Sequence, residues 1–420
     1  MSALDVLVVG AGAYVRGAAE RDFGTVLPTL LGLQRDGRVG ALRVAATRPE
    51  SVQALRAKLG ALERALGLSA RVELYPQGDR PNPNAYLEAA ERAPRPRAAL
   101  VVVPDPLHHR VAASLLERGL HCLVMKPLAP TAAEARDLAR RARERGLVGE
   151  VEFHKRFDDA NRLLRRELAS GSLGEISSVL VEYSQRRSVP LETFRRWAHH
   201  TNSFQYLGVH YVDLIHFASG ARPRRAMAVG RKDLLVRQGV DTWDSVLAIV
   251  EWETPQGGAF HAVFHTSWID PEGTTAQSNQ ILKVIGTRGR FESDQKHRGV
   301  EVATAERCEA VNPYFSQLLP GERGARLEGY GPRSIEQFLR DAEAREAGAA
   351  LETCAASFEE GVLSSAVCEA VGRSLVRNGR WTDVELEGAA RDEATGAARA
   401  AAVKAPLPPE GGERAPLPAR

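Results

Sequence analysis

An ammonium next to a proline and an imidazole one helical turn from a carboxylate are the side chains here best suited to chemistry. Lys126 closes the apolar run His121-Cys122-Leu123-Val124-Met125 and is followed by Pro127. The proline removes a backbone donor and biases the lysine before it towards extended geometry. Held that way at the mouth of a sheet, an ammonium polarises a hydroxyl or carbonyl oxygen. Far downstream, Gly208-Val209-His210-Tyr211-Val212-Asp213 places His210 and Asp213 on one face of a helix. An imidazole with a reference pKa of about 6.5 suits proton transfer near neutrality. Gly10-Ala11-Gly12 follows the apolar run Leu4-Asp5-Val6-Leu7-Val8-Val9. Small residues at such a strand end let the backbone approach a pyrophosphate.

These groups need a scaffold, and the hydrophobic pattern supplies one. Apolar strand-like runs at 4–9, 42–46, 71–74, 98–103 and 122–125 alternate with helical stretches at 25–34, 52–66, 85–92, 110–118 and 132–145. Alternation of this kind predicts a doubly wound parallel sheet with right-handed crossovers, an α/β domain over 1–150. Beyond 151 the strand runs lengthen, at 176–185, 226–230, 245–253, 259–268 and 281–291. The turn Thr254-Pro255-Gln256-Gly257-Gly258 signals a hairpin. Helices are predicted at 158–168, 206–217, 335–344 and 357–377. Residues 151–387 therefore read as an α+β domain on a largely antiparallel open sheet. From 388 to 420 Ala, Pro, Arg and Glu dominate, a composition that buries no core and predicts a disordered tail.

Composition removes several classes. Lys+Arg total 56 against 53 Asp+Glu, a net +3, and since nucleic-acid binding needs basic residues clustered on one face, so weak an excess makes nucleic acid an unexpected partner. The four cysteines show neither metal-ligand spacing nor a paired framework, which suits a reducing compartment. No basic leader is evident, and no run approaches the roughly 18 apolar residues of a membrane span. A cytoplasmic protein with no membrane partner is expected. No metal site is expected either: adjacent His199 and His200 cannot readily share an ion, and His210 and His216 fall on nearly opposite sides of a helix.

Cofactor choice is set at the tip of the second strand, where an acid binds the 2′-hydroxyl of NAD and an arginine suits the 2′-phosphate of NADP. The strand here ends Ala45-Ala46-Thr47-Arg48. Thr47 and Arg48 favour NADP, Arg48 by a charge-assisted fork. Glu50 lies close enough to serve as the acid, so NAD stays open.

Taken in order, the glycine loop, Val103-Pro104-Asp105-Pro106-Leu107-His108, Lys126-Pro127 and Gly208-x-His210-x-x-Asp213 resemble the glucose–fructose oxidoreductase and inositol dehydrogenase family, the Gfo/Idh/MocA type. The resemblance runs from about 4 to 385, taking in His154-Lys155-Arg156-Phe157 and Gly171-Ser172-Leu173-Gly174-Glu175-Ile176. It implies an N-terminal Rossmann dinucleotide-binding domain over 1–150, a nicotinamide cofactor, a sugar or cyclitol alcohol as substrate, and a C-terminal open sheet that pairs subunits into a homodimer or homotetramer. By the same resemblance Lys126 meets the cofactor ribose and the reacting oxygen, and His210 takes or returns the hydroxyl proton. Gly10, Gly12, Ala13, Tyr14, Thr47, Arg48, Pro104, His108 and Lys126 are the expected cofactor contacts. Lys126, His154, Arg156, Trp197, Asn202 and His210 are the expected substrate contacts. Trp197 and Asn202 belong to a polar, aromatic loop of the kind that walls a polyol site.

The chain departs from the family pattern twice. The acid before the lysine is Met125, and the aspartate four residues before the histidine is Tyr206. A tyrosine donates a hydrogen bond but cannot fix an imidazole tautomer as a carboxylate does. Tyr206 and Asp213 are the expected supports, Asp213 compensating from the next turn. Two other classes remain open. One is a hydrolase of the same fold that retains NAD and cleaves a glycosidic bond through transient oxidation. The other is a non-catalytic sugar or dinucleotide sensor, favoured by loss of the two acids and disfavoured by retention of Lys126 and His210.

Overall fold

Every residue of the first strand, β1 (Leu4–Val9), is buried, as a strand covered on both faces must be. The computed structural model describes residues 3–17, 22–92, 97–306, 308–322, 324–351 and 355–387; the 388–420 tail expectation lies outside them. After β1 come α1 (Ala13–Arg16), α2 (Val26–Arg35), β2 (Val39–Ala45), α3 (Pro49–Leu66), β3 (Val72–Tyr75), α4 (Ala85–Glu91) and β4 (Arg97–Val101). Then follow α5 (His108–Glu117), β5 (His121–Val124), α6 (Ala132–Glu144) and β6 (Gly149–Val151). Local chemistry sets several ends. Pro49 opens α3 and left-handed Gly67 closes it. The Thr131 hydroxyl caps α6 by accepting from the Glu134 N–H.

The strands lie in the order β3-β2-β1-β4-β5-β6, all parallel. The order reverses between β1 and β4, and in open α/β sheets the ligand crevice lies outside the carboxyl ends at that reversal. The loops after β1, β4, β5 and β6 all leave from that edge. The boundary expected at 150 falls within β6.

The second layer begins with α7 (Asp159–Ala169) and β7 (Ile176–Arg186). A π-helical turn, Phe204–Gly208, leads into α8 (Val209–Ser219). The helix predicted from 206 thus starts as a wider turn. Next come β8 (Arg222–Arg231), α9 (Leu234–Arg237), β9 (Ser245–Glu253), β10 (Ala259–Asp270), β11 (Ser278–Gly286) and β12 (Arg290–Asp294). The single strand predicted over 281–291 is two strands joined by a turn, where the Gly286 N–H donates to the Gly289 carbonyl. Two short ribbons follow, β13 (Glu301–Ala303) with β14 (Cys308–Ala310) and β15 (Gln317–Leu319) with β16 (Arg326–Glu328). The described chain ends with α10 (Tyr330–Glu346), β17 (Ala356–Ser357), α11 (Phe358–Val376) and β18 (Thr382–Asp383).

The second sheet runs β12-β11-β7-β10-β9-β8-β18 and is antiparallel except where β7 meets β10. Strand alternation divides it. Val181, Val250 and Phe264 point into a core shared with α8 and α11, whereas Leu180, Val229, Leu247 and Ile281 point outwards and are exposed. Two elements cross back to the first sheet. Strand β17 pairs antiparallel with β6. Helix α10 sets Ile335, Phe338, Leu339 and Ala342 in one core with Val6, Val8, Leu27 and Leu30.

Candidate active site

Lys126 leaves the carboxyl end of β5 towards the crevice. Its Nζ donates to the Tyr206 carbonyl at 2.6 Å and sits 3.3 Å from the centre of the Tyr206 ring. Burial pulls this ammonium down to about 8, although the charges of Asp105 and Glu152 oppose the shift. His108 fixes the lysine's backbone from below: Nδ1 meets the Pro127 carbonyl at 2.7 Å and Nε2 the Val103 carbonyl at 2.8 Å. With both nitrogens engaged and the ring wholly buried, His108 is a pin between two loops and not the cofactor contact expected of it.

Tyr206 takes a different part from the one expected. Its ring covers the ammonium and packs with Phe194, Trp197 and Trp268 at centroid distances of 4.7, 6.0 and 5.8 Å. Burial first, then neighbouring acids, raises its hydroxyl, which stays protonated. Trp197 therefore stands in an aromatic wall beside Lys126. Asn202 accepts from the Gln205 N–H at 3.0 Å, capping the turn that carries Tyr206.

His210 sits in the first turn of α8 and is 4% exposed. Its Nδ1 has no hydrogen-bond partner among the described residues. Burial, the Lys126 ammonium, His154 and Lys155 together hold it well below the usual histidine range, so the ring is a neutral base. The ammonium and the imidazole thus share one electrostatic environment, although they come from different sheets' elements.

The expected support from Asp213 does not arise. Its carboxylate takes a two-pronged bond from Arg156, at 2.8 Å to Nε and 2.6 Å to Nη2, and both side chains are nearly sealed. Glu360 adds a third oxygen at 3.1 Å from Arg156 Nη1. Arg156 is equally unavailable to a substrate. The pair ties the segment after β6 to α8 and α11 and is structural.

The acid that does reach the crevice is Glu152, which the sequence reading passed over. It is 2% exposed and accepts from Tyr14 Oη at 2.8 Å, Ser334 Oγ at 2.8 Å and the His154 imidazole at 2.9 Å. The signal was Glu152 directly after the short strand β6, which opens on the ligand edge, two residues before a histidine. Asp105 was also passed over. Buried at 3% exposure, it accepts from Thr201 Oγ1 at 3.2 Å and Gln205 Nε2 at 2.9 Å, joining the β4 loop to the turn bearing Tyr206.

The glycine loop suits a dinucleotide. Gly10 has φ +121°, and a Cβ there would lie 1.9 Å from the Val102 carbonyl oxygen. Gly12 is exposed, with no atom within 4 Å of where a Cβ would stand, leaving room for a phosphate. Ala13 begins α1, and Tyr14 turns its hydroxyl to Glu152. Pro104 lines the neighbouring β4 loop. At the tip of β2, Thr47 and Arg48 are exposed, and the Arg48 guanidinium has no ion pair among the described residues.

A parallel sheet with its glycine loop at the strand-order reversal, joined to a mostly antiparallel sheet that contributes an imidazole, is the plan of two-layer dinucleotide oxidoreductases. The chain belongs to the Gfo/Idh/MocA oxidoreductase family: residues 4–153 match its NAD-binding Rossmann-fold model and 161–292 its C-terminal domain model. It is similar to trans-1,2-dihydrobenzene-1,2-diol dehydrogenase of Bos taurus, 28% identical over 223 residues, 53% of this chain and 62% of that one. The chain thus spans under two thirds of the length of that relative. Scyllo-inositol 2-dehydrogenase (NADP(+)) of Bacillus subtilis is 29% identical over 131 residues, 30% of this chain and 36% of that one. The fold is also that of an inositol dehydrogenase homolog from Azotobacter vinelandii, solved with NADH and myo-inositol. That structure has a TM-score of 0.66 at 20% identity and covers 91% of this chain and 98% of its own. No helix of the described residues is long and apolar enough to cross a membrane.

Proposed function

We propose that this protein transfers a hydride between a nicotinamide cofactor and a secondary alcohol of a sugar, sugar derivative or cyclitol, and that it works in the cytoplasm. The observation that carries this reading is the pairing of Lys126 and His210. The buried Lys126 ammonium, held against Tyr206 in the turn that leads into α8, lies near enough to help keep the buried His210 imidazole neutral.

The cofactor, held by Gly10, Gly12, Ala13 and the β4 loop around Pro104, supplies the hydride acceptor. Lys126 polarises the substrate oxygen and stabilises the charge that develops there as its proton leaves. Burial leaves its ammonium short of solvent, so a substrate oxygen replaces missing hydration at little cost. His210 takes the hydroxyl proton on oxidation and returns it on reduction. Tyr206 holds the ammonium in register, and Trp197 with its aromatic neighbours walls the apolar face of a ring. Exposed Thr47 and Arg48 favour NADP over NAD. The outward apolar row of the second sheet, with Leu180 and Leu247 at 42% and 51% exposure, favours pairing with a second copy into a homodimer or homotetramer.

The test is direct. Purified protein is incubated with NAD or NADP and a panel of polyols, sugars and cyclic diols, and the absorbance of the reduced cofactor is followed. Turnover on a member of the panel, faster with NADP and abolished in Lys126→Ala, is the expected result. Tight cofactor binding with no turnover on any alcohol overturns it.

A further inference from the structure

The chain lacks an acid at position 125 and at position 206, and Asp213 is consumed by Arg156, yet His210 still has to dispose of a proton. We propose that Glu152 and His154 form an imidazole–carboxylate couple that carries this proton between His210 and solvent. The proposal rests on the dehydrogenase reading of the same site.

Geometry is the main support. The His154 ring lies 5.0 Å from the His210 ring, centroid to centroid and tilted 55°, so the two imidazoles are immediate neighbours. Glu152 holds the His154 Nδ1 at 2.9 Å, which commits that nitrogen as the donor and leaves Nε2 for the exchange. The side-chain exposures fall in order: 14% for His154 against 3% for Glu152, with His210 at 4% overall. His154 is therefore the imidazole with access to water. The groups facing it come from every neighbouring element. They are Tyr14 of α1, its ring 6.5 Å away, Tyr330 of α10 stacked at 5.7 Å, Phe315 at 5.3 Å, and His210 of α8. Among these neighbours Glu152 brings the negative charge, and Ser334 and Tyr14 hold it in place.

The step balances without a further reagent. On oxidation the carbinol C–H bond breaks and its electron pair leaves as hydride to the cofactor. The O–H proton goes to His210. Burial first, then Lys126, His154 and Lys155, make an imidazolium at 210 unfavourable, so it yields its proton to neutral His154 at Nε2. The Glu152 carboxylate, bonded to His154 Nδ1, offsets the positive charge on His154 until solvent takes the proton. Reduction runs the path in reverse. Tyr14 joins α1, the helix that follows the glycine loop, to the same carboxylate, so cofactor seating and relay geometry are mechanically linked.

Glu152 is a positioning residue and His154 the relay. The experiment compares His154→Ala, His154→Gln and Glu152→Gln with the wild type on whichever alcohol the wild type oxidises. Cofactor binding, followed by fluorescence, serves as the check on folding. His154→Ala is expected to lose about 10²-fold in kcat with KM within about threefold, and to be rescued by millimolar imidazole in the buffer. Glu152→Gln is expected to lose about tenfold or more and to show a larger solvent isotope effect. Folded variants with kcat within about threefold of wild type, no imidazole rescue and an unchanged isotope effect overturn the relay and leave the dehydrogenase reading standing. If the wild type oxidises no alcohol, that reading falls and the couple is judged by proton NMR alone. A low-field His154 Nδ1–H signal that is lost in Glu152→Gln supports it, and its absence from the wild type overturns it.

Discussion

Two buried charge clusters lie on either side of the five residues Glu152 to Arg156, and they differ in how completely they are satisfied. On the side of the second sheet and its helices, Arg156 meets Asp213 twice and Glu360 once, and Lys155 is held by Gln280 and Gln295 between the rings of Tyr183 and Tyr211. On the crevice side, Lys126 has one carbonyl and one aromatic face, and His210 Nδ1 has no partner among the described residues. A closed network fixes structure, because each charged group already has its hydrogen-bond partners. An open one has capacity to spare for a ligand. Two lysines pushed down by burial, one to about 7 and one to about 8, therefore serve different ends.

The largest expected effect tests the open cluster. Lys126→Met should lower kcat/KM by about 10²–10⁴-fold while the melting temperature holds or rises, since a cation leaves a dry site. Loss of stability without loss of rate per folded molecule would merge the two clusters into one class. Asp213→Asn tests the closed cluster and should do the opposite. It leaves Arg156 with a weakened partner, costing about 3–5 kcal/mol in a urea titration, while kcat of the folded fraction stays within a few-fold. A large kcat loss at full stability would return Asp213 to the catalytic set.

The pH profile sharpens the contrast. Burial lowers Lys126 to about 8, so its charged form is lost as pH rises through that value and kcat/KM should fall there. In Lys126→Arg, which retains some activity and keeps its charge, the alkaline limb should vanish. The smallest effect concerns the ring above the ammonium. Tyr206→Leu removes a cation–π contact worth about 0.5–2 kcal/mol and should shift the alkaline limb to lower pH. An unmoved limb would mean that the ring does not stabilise the charge.

Most of the first sheet was legible in the sequence because its strands are continuous apolar runs, and strand order follows from the βαβ pattern with few alternatives. The crevice residues Gly10, Gly12 and Lys126 were legible for the same reason: their position at strand ends is a property of the backbone. Side-chain pairing was not legible. His210 and Asp213 share a helix face on spacing alone, yet Arg156, 57 positions away in sequence, claims the carboxylate. Tyr206 read as a hydroxyl donor, and its ring turned out to be the part that meets Lys126. Glu152 went unnoticed because an acid just past a short strand looks like a solvated loop residue until α10 brings Ser334 over it. Such contacts are long-range, and no local pattern encodes them.

Helix α10 has a consequence for how the molecule can be divided. Ile335, Phe338, Leu339 and Ala342 seal the nucleotide-binding layer from a point nearly two hundred residues beyond its last parallel strand. A fragment cut after β6 would expose an oily flank, so this layer is not a detachable cassette. The two sheets should melt in one step, and chimeras with relatives should fold only when this helix travels with the layer it covers.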